Sequence, residues 1–180
     1  LFPHNGTTVA ELMGNADAAM YQAKETGKNG VCFYTPDIND RLVHYQEITN
    51  LLRDALNNDG LELFFQPQIS LADRKSDSCE ALLRCFHGQS RAVSPATFIP
   101  VAEKSGLINR IGEWVIEAAC KQLDAWQETP LKNLRVDINL SGRQLTNPHL
   151  ASHILETVER YNLQPHQLGV ELTENEVYGS

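Results

Sequence analysis

The sequence predicts an α/β fold built on parallel strands. From residue 61 onward, short β-type runs alternate with segments of helical period, which is the order of βαβ units. The 180 residues are 42% apolar and 21% charged, a globular composition sized for one medium domain or a small domain with a further piece. Oxygen-bearing side chains fall near the strand ends, where parallel α/β barrels gather their functional groups.

Residues 1–36 read as one unit. Asn5-Gly6 signals a turn, and Thr8-Val9-Ala10-Glu11 matches a capping box that starts a short helix. Gly14 is expected to end it. Ala16, Ala19, Met20 and Ala23 then recur at helical spacing, closed by Gly27 and Asn29-Gly30. Val31-Cys32-Phe33-Tyr34 reads as a strand ended by Pro36. A hook this short cannot bury a core of its own. Residues 37–60 read as a linker, with Leu42, Tyr45, Ile48, Leu52 and Leu56 as one helical stripe before the Asn57-Asn58-Asp59-Gly60 break.

Residues 61–180 carry the alternating pattern. Strands are expected at 61–65, 78–84, 134–140 and 168–172, and helices at 96–104, 111–126 and 148–161. Gly106 separates the first two helices, and Pro148 suits a first helical turn. Trp114 and Trp126 fall on a helix and read as core.

Charge and cysteine content narrow the function. A net charge of -8 and a pI near 5.2 argue against a DNA or RNA binder. They leave room for a small phosphate ligand, which needs only a local cation. Cys32, Cys79, Cys85 and Cys120 form no C-x-x-C pair, so reduced thiols in a cytoplasmic protein are expected. No apolar run reaches membrane-spanning length, and no signal peptide is visible. Both ends read as cut from something longer, so an anchor upstream stays open.

Glu80 falls in the second strand, Asn139 near the end of the third, and Glu171 near the end of the fourth. Three strands thus each deliver an oxygen donor, a set suited to Mg²⁺ or Mn²⁺ and not to zinc. Taken singly, each reads as a helix cap or a solvent-facing group before it reads as a ligand. Arg84 lies four residues after Glu80, on the same strand face, where it could clamp a phosphate bidentately or simply pair with a glutamate. Gln66 follows the first strand as a turn residue or a base or phosphate contact. His87, His149, His153 and His166 receive no role.

At these residues the chain resembles a known family. Glu80-Ala81-Leu82-Leu83-Arg84 is similar to the signature of the EAL cyclic di-GMP phosphodiesterases. Phe65-Gln66-Pro67, Phe98–Glu103 with Ser105–Ile108, Asn139-Leu140-Ser141 with Arg143-Gln144-Leu145, and Glu171–Glu174 agree with that family in order and spacing. Cys85 departs from it by replacing a usual Trp, and Asn175 by standing where Ser is common. The resemblance implies the N-terminal half of a (β/α)₈ barrel whose first strand is antiparallel. It implies hydrolysis of cyclic di-GMP to pGpG with two divalent metals, Mg²⁺ or Mn²⁺. Glu80, Asn139 and Glu171 then resemble metal ligands, with Glu80 catalytic. Gln66 and Arg84 resemble substrate contacts, and Glu174 a residue that steadies a later loop. The family's remaining ligands would follow Ser180, so residues 1–180 alone are expected to be inactive. Pairing of two copies through this domain is compatible with the resemblance. A non-catalytic cyclic di-GMP receptor is the alternative.

Residues 1–36 resemble the end of a GGDEF diguanylate cyclase domain through Ala16-Asp17, Ala19-Met20-Tyr21, Ala23-Lys24 and Gly27-Lys28-Asn29. Lys24 and Lys28 match positions that help hold nucleotide phosphates there. Lys28 stands where Arg is usual, keeping the charge and losing the planar fork.

Overall fold

The computed structural model describes residues 1–25, 30–72, 74–87 and 91–172. The chain divides into two compact units, Leu1–Asn50 and Leu51–Ser180.

In the first unit, α1 spans Val9–Glu25 and α2 begins at Pro36, running on to Asn57. The capping box forms as the sequence predicts. Thr8 N–H donates to Glu11 Oε2 (3.2 Å), and Glu11 N–H donates to Thr8 Oγ1 (3.3 Å). Two expectations need correction. Gly14 does not end the helix: α1 continues through it, since one interior glycine costs only about 1 kcal/mol and neighbouring turns carry it. Residues 31–35 form no strand. Val31 and Phe33 are 85% and 73% exposed, and an extended run without a pairing strand is not a stable element.

The second unit is a five-stranded mixed sheet with helices packed on it. Its strands are β1 (Leu61–Gln68), β2 (Ser78–His87), β3 (Arg91–Val93), β4 (Arg135–Asn139) and β5 (Leu168–Glu171). The order is β1-β2-β4-β5, with β3 pairing the end of β2. β1 runs antiparallel to β2, while β2–β4 and β4–β5 are parallel. The antiparallel first strand is thus present. The short β3 is an addition to the expected strands and pairs β2 through Cys85, Phe86 and His87.

Helices α3 (Pro95–Ser105), α4 (Ile108–Ala125), α5 (Gly142–Leu145) and α6 (Leu150–Arg160) follow. Gly106 sits at φ 76° and ends α3, a left-handed cap that suits glycine. The apolar stripe of α4, including Ile111, Val115, Ala119 and Leu123, is buried as one helical face. It lies against β1 and β4, where Phe65 meets Trp126 edge-on at 5.1 Å. Gly60 joins α2 to β1 with Ala55 so close that an added Cβ would stand 2.8 Å from Ala55 Cα.

Cys79, Cys85 and Cys120 are buried and Cys32 is half-buried, all unbridged. Burial pushes the Cys85 and Cys120 thiols up to about 11. Burial, with the charge of Asp137, also raises Cys79. At pH 8 a thiol of that kind is thiolate in roughly one molecule per thousand. Brief iodoacetamide treatment of the folded protein at pH 8 should therefore label Cys32 and spare the other three, as read by peptide mass mapping. Labelling of Cys85 at the rate of Cys32 would contradict this packing.

Candidate functional site

Strand alternation sorts the sheet into two chemistries. Cys79, Ala81, Cys85, Val136 and Ile138 are buried on the helix side. The opposite face carries Gln66, Gln68, Ser78, Glu80, Arg84, Asp137, Asn139 and Glu171, placed there by the register.

Glu80 lies near the end of the stretch of β2 that pairs β4, which stops at Ala81↔Ile138. Asn139 and Glu171 are the last residues of β4 and β5 and stand directly opposite each other. Asn139 Nδ2 donates to Glu80 Oε1 at 2.7 Å. This bond leaves the Asn139 carbonyl oxygen available as an acceptor or ligand. Leu140 N–H donates to the Glu171 carbonyl at 3.1 Å, extending the β4–β5 pairing past both side chains. The turn after Asn139 is fixed in the same way. Ser141 N–H donates to Gln144 Oε1 at 2.9 Å, and Gly112 on α4 leaves the space that the buried Gln144 amide fills.

Gln66 stands opposite Glu80 in the β1–β2 register and is exposed. Arg84 lies further along β2. Its guanidinium rests over the Phe64 ring, 5.4 Å from the centroid, and donates to the Leu83 carbonyl at 3.0 Å. A cavity of about 240 Å³ is lined mainly by apolar residues of β2, α3 and α4, including Ala81, Leu83, Ile99, Ile111 and Val115, with Arg84 and Asn139 also in its lining. Lys24 is exposed on α1 in the other unit. Lys28, Glu174 and Asn175 lie outside the described residues.

Some functional-face residues were not singled out by sequence. Asp137 is 3% exposed and pairs with Arg135, whose Nη2 and Nε lie 2.6 and 2.7 Å from Asp137 Oδ1. Gln68 Nε2 donates to Glu171 Oε1 at 3.4 Å, and Ser78 Oγ donates to Gln68 Oε1 at 2.7 Å. The available signal was parity, since Asp137, Ser78 and Gln68 each lie two residues from Asn139, Glu80 and Gln66.

Among the described residues no three His, Cys, Asp or Glu side chains stand together as a metal-binding group. The donors at the strand ends are two carboxylates, Glu80 and Glu171, with the Asn139 amide. Hard oxygen donors of this kind fit Mg²⁺ or Mn²⁺ and lack the nitrogen and sulfur that zinc favours.

The arrangement is an arc of an α/β barrel, first strand reversed, with a polar face at the parallel strand ends. The sequence profile of the EAL domain matches residues 49–180, and the chain belongs to that family. Phosphodiesterases of the family are generally dependent on a divalent metal. Among its relatives is the bifunctional diguanylate cyclase/cyclic di-GMP phosphodiesterase MucR of Pseudomonas aeruginosa. It is 38% identical over 175 residues, which are 97% of this chain and 26% of the relative. The cyclic di-GMP phosphodiesterase PdeR of Escherichia coli is 36% identical over 175 residues, with the same coverage of 97% and 26%. The chain thus spans about a quarter of the length of these curated relatives. The structure of the MucR phosphodiesterase in complex with cyclic di-GMP superposes with a TM-score of 0.69 at 34% identity, covering 74% of this chain and 54% of that one. The EAL enzyme Bd1971, with cAMP and cyclic di-GMP bound, superposes at 0.70 and 27% identity, covering 97% and 46%.

Gly169 on β5 lies beside the Arg135–Asp137 pair, and a Cβ there would stand 1.8 Å from Asp137 Oδ1. Gly169→Ala should lower the urea-unfolding free energy by about 1–3 kcal/mol through overpacking and displacement of the pair. A change below about 0.5 kcal/mol would contradict this packing, being the range of a neutral surface substitution.

Proposed function

We propose that the intact protein hydrolyses one phosphodiester bond of cyclic di-GMP, giving linear pGpG. The observation that carries this reading is the adjacency of Glu80, Asn139 and Glu171 at parallel strand ends, in a chain of the EAL family. Glu80, Asn139 and Glu171 would hold a divalent cation, Mg²⁺ or Mn²⁺. Bound there, such cations supply an activated water and stabilise charge developing on phosphate.

The remaining residues bind and orient. Arg84 presents a guanidinium fork to a phosphate oxygen pair. Its seat on Phe64 limits the freedom that binding would otherwise remove. Gln66, opposite Glu80, contacts the substrate from β1. By its resemblance to the family, Glu174 would steady a later loop of the active site.

The same reading divides the chain into the end of a GGDEF domain (1–36), a linker (37–60) and the first half of an EAL domain (61–180). Lys24 and Lys28 are then remnants of a nucleotide-phosphate site. Two observations support the first piece. The 175-residue similarity to bifunctional MucR is too long to lie within 49–180. Val9, Met13 and Met20 on α1 are 78%, 62% and 52% exposed, an apolar display that further parts of a domain would cover. A cytoplasmic location accords with the unbridged thiols. Among the described residues no helix is long and apolar enough to cross a membrane. Nucleic acid has no part in the reading, and two copies can pair through the EAL domain.

Glu80→Ala in the full-length protein should abolish pGpG formation with Mn²⁺ supplied; turnover at the wild-type rate would refute the ligand role. Arg84→Lys should keep Mn²⁺ affinity and weaken cyclic di-GMP binding roughly tenfold, about 1.4 kcal/mol, near the lower end for a charge-assisted hydrogen bond. Calorimetric titration separates the two ligands, and a loss of Mn²⁺ affinity with unchanged cyclic di-GMP affinity would reverse the roles of Glu80 and Arg84.

A further inference from the structure

β1 and β5 stand at opposite ends of the strand order and do not pair. Yet Gln68, the last residue of β1, reaches Glu171, the last residue of β5, with Nε2 3.4 Å from Oε1. The sheet is curved enough for one side chain to cross its concave face. The orientation of the amide follows from the carboxylate, and its other end meets a hydroxyl. Ser78 Oγ lies 2.7 Å from Gln68 Oε1 and stands opposite Gln68 in the register. A carboxylate accepts and cannot donate, so the amide nitrogen must face Glu171 and the oxygen must face the serine hydroxyl.

We propose that Gln68 is a positioning residue that aims the Glu171 carboxylate, with the Ser78 hydroxyl anchoring its amide oxygen; this rests on the metal-ligand reading of Glu171 given above. Gln68 occupies one lone-pair direction of Oε1 and leaves Oε2 without a demand from this amide. The bond is the counterpart of Asn139 Nδ2 on Glu80 Oε1. Each carboxylate is thereby held by one neutral amide donor from a neighbouring part of the face. At 3.4 Å the Gln68 contact is long for an N–H···O bond, so it steers the carboxylate without neutralising it. A neutral donor also leaves the negative charge available to a cation, which a Lys or Arg at position 68 would compete for. Partners of this kind orient metal ligands and commonly cost about 10–100-fold in metal affinity when removed.

The test is Mn²⁺ titration of the full-length protein, free of substrate, by electron paramagnetic resonance. Gln68→Leu removes donor and acceptor at similar volume and should weaken Mn²⁺ binding about tenfold or more. The thermal midpoint in EDTA should stay at the wild-type value, which separates aiming from folding. Ser78→Ala should shift affinity in the same direction by a smaller factor, and it serves alone if the leucine variant does not fold. Wild-type Mn²⁺ affinity in the variants, with binding lost in Glu171→Gln, overturns the inference and leaves the metal reading standing. Equal Mn²⁺ binding by wild type and Glu171→Gln overturns both.

Discussion

The structure depends on one constraint, the register of β2, β4 and β5. Side chains alternate across a strand, so a slip of one residue exchanges the two faces. In the observed register Val136 and Ile138 face the helices, while Asp137 and Asn139 face the polar side. Sliding β4 by one position would drive Asn139 into the apolar layer and bring Ile138 beside Glu80. The burial of Val136 and Ile138 against α4 therefore does more than stabilise. It determines which oxygen atoms meet at the strand ends.

That face carries the acidic groups Glu80, Asp137 and Glu171, and such groups need partners. The structure answers with neutral or paired donors. Asn139 bonds Glu80, Gln68 bonds Glu171, and Arg135 pairs with the buried Asp137. Leaving a buried acceptor without a partner costs about 1–3 kcal/mol, a large share of the stability of a domain. The arrangement is selective in where it places formal charge. The ion pair sits at Asp137, two residues back from Asn139, while Glu80 and Glu171 each accept from a neutral amide.

Much of this was legible in the sequence. The strands at β1, β2, β4 and β5 and the helices α2, α3, α4 and α6 follow from local period and punctuation, most plainly in α4, which buries a continuous apolar stripe. The Thr8–Glu11 cap was legible for the same reason, being a contact within one turn. Glu80 and Arg84 fall on one face by counting alone. The pairing of distant strands was not legible from the residues themselves. β3 exists through its register with β2, and Gln68 meets Glu171 only because the sheet curves. Val31–Tyr34 shows the converse. Its composition suits a strand, and without a pairing neighbour the segment stays irregular and exposed.

The central claim is that three parallel strand ends present oxygen atoms to one divalent cation. Anomalous diffraction from crystals of the full-length protein grown with Mn²⁺ tests it most directly. The account predicts a manganese peak within about 2.5 Å of oxygens from Glu80, Asn139 and Glu171, close to the distances oxygen ligands keep to such cations. A bound manganese with all three of these side chains beyond coordination distance would contradict it.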